Sequence, residues 1–250
     1  MINYMLLSIL CLLTLPLAAS EFTQLMQKGD VHDRKSETQL ALKYYLPAEK
    51  LKPNDAELLV KIARQYALSM PDLKGRAAKQ AAGESALAYA RRAAKANSRL
   101  AEAHLAVAIA LGKLAPYRSN RENIEASREI KSSAEKATQL DPKNDYAWHI
   151  LGRWHQALAN LGGTKRALAE AIYGKLPAAS NEEAIKYFRK AIALKPKRLV
   201  HTIELGRTYA MMKRYDEAIP LLKRGLAMPN REKDDRETKA RGKKTLDEIS

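Results

Sequence analysis

One spacing constrains this chain more than any other. In residues 181–196, NEEAIKYFRKAIALKP, the positions Ala184, Phe188, Ala191 and Pro196 follow at intervals of 4, 3 and 5. The first three fall on one stripe of a helix. The small residues let a second helix approach, the large one fills the groove between the two, and the proline ends the helix. Thirty-four residues later Ala218, Leu222 and Gly225 repeat the pattern, with Pro229 one short of register. Between the two stripes, Leu205, Gly206 and Tyr209 mark the facing stripe of another helix. A helix pair of this size cannot bury its apolar stripe alone, so the pairs must stack.

The same spacing recurs upstream. Ala41, Tyr45, Ala48 and Pro53 fit a second helix, and Leu59, Ile62, Ala63 and Tyr66 fit a first helix. Ala86, Ala90, Ala93 and Ser98 then lead to His104, Val107, Ala108 and Leu111, and Ile130, Ala134, Ala137 and Pro142 lead to Trp148, Leu151, Gly152 and His155. This is the pattern of tetratricopeptide (TPR) units. The fold class expected is all-α, a TPR-like α-solenoid of stacked antiparallel helix pairs with enlarged insertions between helices. The helix-ending slots lie near 53, 98, 142, 196 and 230, at separations of 45, 44, 54 and 34, so only the last unit has the plain period. The insertions at 69–80 and 112–123 read as polar turns with extended helix ends. The long one opens at Gly162-Gly163 and holds a short amphipathic helix over 165–176, with Leu168, Ile172, Tyr173 and Leu176 near one face and expected to pack across the repeats. Ser180 or Asn181 caps the next helix, supported by Glu183. A polar closing helix is expected over 236–248, because a stack of repeats must not end on a bare apolar face.

Residues 1–20 carry no charged side chain, and the apolar run from Met5 to Leu17 is about as long as a signal-peptide core and short for a bilayer span. Ala18, Ala19 and Ser20 resemble a cleavage region, so residues 1–20 read as a signal peptide, with an uncleaved N-terminal anchor as the alternative. The repeat domain is then 21–250. Cys11, the single cysteine, is preceded by Leu10 rather than a small residue and reads as a hydrophobe leaving with the leader; no disulfide framework or Cys-based zinc site is possible.

The formal charge of +16 invites a nucleic-acid reading. Its distribution argues against one. Residues 73–140 carry seven more basic than acidic side chains, 141–196 four more and 197–250 five more, so the excess follows the repeats and forms no basic arm. The one dense cluster, KARGKK near the C-terminus, is diluted by acidic neighbours. A narrower signal remains. One groove-facing position of the first helices holds Arg64, Ile109, Arg153 and Arg207, and His149 lies one turn before Arg153. A row of arginines can fork to the carboxylates of an acidic peptide; the structural alternative pairs each with a neighbouring acid such as Glu57 or Glu204. Trp148 occupies the repeat's aromatic core slot, and Trp154 is expected in the core or between helices. The five histidines show no metal-ligand spacing, no glycine loop cradles a phosphate, and the paired carboxylates fall at helix starts or in the tail. No catalytic residue, metal site or cofactor is expected.

From Asp55 onward the chain resembles the regulator of microtubule dynamics family. The resemblance rests on DAELLVKIARQYA, ALAYARRAAKANSRLAEAHLAVAIAL, ATQLDPKNDYAWHILGRWHQ and, most specifically, RALAEAIYGKLPAASNEEAIKYFRKAIALKP. It implies a TPR-like helical fold, no catalysis, and association with microtubules, spindle poles or membrane contact sites. The expected function is a non-enzymatic scaffold binding a protein segment in its groove. The alternatives are an electrostatic binder of an anionic polymer or surface, and a structural spacer in an assembly. A cleaved leader implies export to the periplasm or medium. A retained one implies a membrane anchor, and the resemblance alone a cytoplasmic or cytoskeletal place.

Overall fold

The computed structural model describes residues 20–174 and 176–250, and among them every regular element is helical. The leader's apolar run and Cys11 lie outside the described residues. The protein divides into two compact units, ending and beginning at Ser98 and Arg99.

In the first unit, residues 20–34 are helical (α1) and are followed by α2 (Thr38–Leu51), α3 (Ala56–Ser69) and α4 (Arg76–Ala96). Phe22, Ala41, Leu42, Tyr45, Ala48, Leu58 and Ile62 form its core, flanked by Tyr66 and Tyr89. α1 lies so close to α2 that a Cβ on Gly29 would fall 2.3 Å from the Tyr45 ring. The insertion at 69–80 becomes one turn of 3-10 helix, Met70–Asp72, and an extension of α4 to 21 residues.

The second unit holds α5 (Ala101–Leu114), α6 (Asn120–Leu140), α7 (Asp145–Ala159), α8 (Gly163–Tyr173), α9 (Asn181–Leu194), α10 (Leu199–Met211), α11 (Tyr215–Ala227) and α12 (Asp235–Ile249). α5 pairs with α6, α7 with α9, and α10 with α11; α6 then packs on α7, and α9 on α10. Ala134, Ala137, Ala184, Phe188, Ala191, Ala218 and Leu222 are all fully buried between paired helices. Gly152 and Gly206 mark close approaches of the first helices to the second. A Cβ on Gly152 would fall 2.8 Å from Phe188 Cε1, and one on Gly206 2.9 Å from Leu222 Cγ.

The turns repeat as the helices do. α2, α6 and α9 end two residues before Pro53, Pro142 and Pro196. The residue before each proline leaves the helical region, with φ of −136° at Lys52, −135° at Asp141 and −140° at Lys195, because a proline ring disfavours that region for its predecessor. Asn97 adopts −142° before Ser98, where no proline stands. The turn is therefore held by the packing of the pair as well as by proline. The helices that follow are capped by polar residues where the sequence provides them: the side chain of Asp55 accepts from the Leu58 amide, that of Asn144 from Ala147 and that of Ser180 from Glu183.

The long insertion and the closing helix differ from expectation in detail. The short helix α8 packs against α6 and buries only Ala169 fully, with Leu168 and Ile172 half-buried, and it ends at Tyr173, before Leu176. α12 packs on both α10 and α11. Gly242 lets it reach Ile203 of α10, where a Cβ would lie 2.9 Å from the buried Ile203 Cγ2. The closing helix thus lies against a first helix as well as covering the last second helix.

Candidate binding site

The first helices α5, α7 and α10 of the second unit lie side by side. The position shared by Ile109, Arg153 and Arg207 falls on them. Its centre is a carboxylate. Glu204 of α10 is 1% exposed and is met by arginines from three helices. Arg207, one turn along the same helix, donates through Nη1 to both oxygens at 2.9 and 2.8 Å. Arg153 of α7 donates to Oε2 at 2.5 Å and to Gln156 Oε1 at 2.9 Å. Arg241 of α12 holds its Nε 3.6 Å from Oε1. Gln156 completes the layer by donating to Thr208 Oγ1 at 2.8 Å, and Arg207 Nε donates to Thr245 Oγ1 at 3.3 Å. Burial pushes the Glu204 carboxyl upward, but Arg153, Arg207 and Arg241 together outweigh it and hold the group below the ordinary carboxylate range.

One layer away, toward the start of the same helices, is a second polar network. Asp145 Oδ2 accepts from Arg198 and from His201 Nε2, the latter at 2.8 Å. His201 Nδ1 lies 3.0 Å from His149 Nδ1. With the His201 proton on Nε2, its Nδ1 is the acceptor and His149 Nδ1 the donor, which assigns both neutral tautomers from the network. Burial first, then the neighbouring His201 and arginines, pushes His149 well below the usual histidine value. Burial also lowers His201, against the opposing pull of Asp145. His149 is 4% exposed and packs on Tyr146, Phe188 and His201. The repeat spacing places it in the groove beside Arg153; it faces the interior instead, because α7 turns that position toward α9 and α10.

Arg64 lies in the first unit. It pairs with Asp33 of α1, whose other oxygen accepts from the buried Gln65 at 2.7 Å. Asp30, three residues before, accepts from Tyr45 Oη and Lys61 Nζ, both at 2.6 Å. These side chains fasten α1 to α2 and α3. Trp154 is buried and donates to Ser127 of α6. Trp148 is only half-buried; its ring stacks on Tyr187, centroids 5.7 Å apart, under the Lys190 ammonium. Its Nε1 donates to Pro142 O at 2.9 Å, so it staples the turn before α7.

Each arginine thus has an acidic partner within its own unit, but with different reserve. The Arg207 side chain is 17% exposed, whereas those of Arg153 and Arg241 are 41% and 39% exposed. Glu204 was visible in the sequence as the acid three residues before Arg207. Arg241 was not, because its place depends on how α12 returns to α10. Asp145 and His201 carried no periodic signal. Among the described residues no group of three or more His, Cys, Asp or Glu side chains is placed to hold a metal ion. No described helix is long and apolar enough to cross a membrane.

A family model described as "Regulator of microtubule dynamics protein 1-3" matches residues 20–250. Regulator of microtubule dynamics protein 1 of Bos taurus is 29% identical over 192 residues, 76% of this chain and 60% of the relative. Protein 3 of Xenopus laevis is 29% identical over 221 residues, 87% of this chain and 48% of the relative. The match therefore spans about half to three-fifths of the length of these relatives. Among solved structures, a thermophilic TPR protein of Thermus thermophilus aligns with a TM-score of 0.60 at 19% identity, covering 90% of this chain and 98% of the other. PilF of Pseudomonas aeruginosa aligns with a TM-score of 0.55 at 15% identity, covering 93% of each. The first of these likenesses establishes the TPR-like fold.

Proposed function

Because this chain belongs to the regulator of microtubule dynamics family, with a TPR-like helical fold, we propose that it is a non-enzymatic protein-interaction scaffold. The partner is an extended acidic segment, bound along the first helices of the second unit. The observation that carries this reading is the pair of half-exposed arginines, Arg153 and Arg241, on the face where α7, α10 and α12 meet. A scaffold of this kind needs side-chain donors held still before the ligand arrives, and the bonds from Arg153 to Gln156 and Glu204 do that. Arg64, with its side chain 55% exposed beside Asp33, is a second contact candidate in the first unit. The test is capture of a partner from the native source by mild crosslinking. Arg64→Ala with Arg153→Ala is expected to abolish capture while circular dichroism stays helical. Unchanged capture would remove the arginines from the binding face, and loss of helicity would make them structural.

The family name favours one alternative partner, the microtubule, whose surface is acidic. Cosedimentation with polymerised tubulin decides it. Binding that falls steeply between low and moderate salt supports electrostatic association, and no pelleting at low salt ends it. Residues 1–20 bear on the same question. We read them as a signal removed on export, with a retained anchor as the alternative. N-terminal sequencing after fractionation separates these, and a protein starting near residue 21 outside the cytosol excludes tubulin as partner.

A further inference from the structure

Glu204 gathers more cationic charge than one carboxylate can use. Three guanidiniums, from α7, α10 and α12, converge on it. Each carries five N–H donors, and a carboxylate offers about four acceptor sites. Arg207 takes both oxygens, and Arg153 takes one of them again. Arg241 is left over. Its Nε is buried without a hydrogen-bond partner, and 3.6 Å from Glu204 is too long for one. Its remaining bonds go to Thr238 at 3.2 Å and to Glu237 at 3.3 Å, and Glu237 is itself 63% exposed. An exposed pair of that kind within one helix is weak. The buried centre therefore stands at an excess of two positive charges, with one solvated acid at its rim. Like charges this close repel, and an added anion on the open side relieves that repulsion.

We propose that Arg153 and Arg241 hold one carboxylate of the partner segment between them, so that α12 is a wall of the binding site and not only a cover for the last repeat. The proposal rests on the scaffold reading above and names its central contact. Two guanidinium edges on either side of a planar, singly charged group suit a carboxylate fork. Gly242 has a part in this, since its missing side chain lets α12 lie on Ile203 and present the neighbouring Arg241 at this depth. The carboxylate is either that of an Asp or Glu residue or the free C-terminus of a polypeptide, and the two share the same chemistry.

The experiment is fluorescence anisotropy on the full-length protein with two labelled hexapeptide pools. One has fixed Asp or Glu residues and an amidated C-terminus; the other has neutral side chains and a free C-terminal carboxylate. At least one pool is expected to bind, and the one that does identifies the source. Arg153→Gln and Arg241→Gln should each weaken it about tenfold or more, with Arg153→Lys intermediate. Gly242→Ala should weaken it without changing any charge, and Glu204→Gln, where it folds, should tighten it by removing the internal competitor. Circular dichroism and melting on every variant keep folding apart from binding. Binding of neither pool by the wild-type protein, or equal binding by wild type, Arg153→Gln and Arg241→Gln, overturns the proposal. A captured protein partner that is indifferent to both substitutions sinks this site and leaves the scaffold reading standing. A wild-type protein that captures no partner at all sinks the scaffold reading first.

Discussion

At Gly152 the helix pair is decided by one missing methyl. The Phe188 ring occupies the space a Cβ would need, and Phe188 is fully buried, so it has nowhere to move. Gly152→Ala gains up to about 1 kcal/mol of helix propensity but forces an overpacked core costing roughly 1–3 kcal/mol. We expect net destabilisation, read as a lower urea midpoint. Gly112, also helical but with nothing within 4 Å of its Cβ position, is the control, and Gly112→Ala should raise the midpoint. The buried histidines make a second prediction. Burial holds His149 and His201 below the ordinary value of 6.5, so the unfolded protein binds protons there that the folded one refuses. Stability is full above about pH 6.5 and falls as pH drops below it. Asp145, Arg198 and Tyr146 pack on the pair, and Arg153 and Arg241 act on His149 from α7 and α12. His149→Asn and His201→Asn should therefore flatten the slope of stability against pH in that window. An unchanged slope would mean that the rings are protonated in the fold. Glu204 and Asp145 act in the opposite range: their lowered values add stability that is lost only as pH falls through the carboxylate region.

The helices show which parts of a repeat a sequence displays. Ala184, Phe188 and Ala191 could be read because close helix packing needs small and large residues at fixed intervals, and burial enforces it. The capping of α9 by Ser180 was legible for the same local reason, since its bond to the Glu183 amide spans three residues. Ser119 forms a full capping box with Glu122 at the start of α6. Ser119→Ala should cost about 1 kcal/mol, seen as a lower melting temperature and faster amide exchange in the first turn of α6. Equal exchange would show that tertiary packing alone holds that end. What stayed hidden were meetings between elements far apart in sequence. Nothing periodic announces that Arg241 returns to Glu204, or that His201 meets His149 across 52 residues. Those contacts follow from the packing of α10 against α7 and α12, which the repeat spacing does not specify. His149 shares a stripe of α7 with Arg153 but is covered by Phe188 of α9 and His201 of α10, which a face counted from repeat slots does not show.

For the molecule, the 44 basic side chains behind the net charge of +16 resolve into two populations. Part is neutralised within the fold, as in Lys61–Asp30, Arg64–Asp33, Arg92–Glu49 and Arg198 with Asp145 and Glu232. Part lies on second helices, such as Lys190 over Trp148, where it solvates the outer side of a helix pair. Neither population amounts to a basic arm, and the fold is a TPR-like stack of helix pairs. Family and fold support a helical scaffold; that it grips an acidic segment on the first helices of its second unit is the proposal to be tested. The most direct measurement is photo-crosslinking in the native source, with a photoreactive amino acid at Ile109 of α5 or at Lys190 of α9. The account predicts discrete protein adducts from position 109, reduced by Arg153→Gln, and none from 190. Adducts from 190 and not from 109, or equal adducts from both, would contradict it.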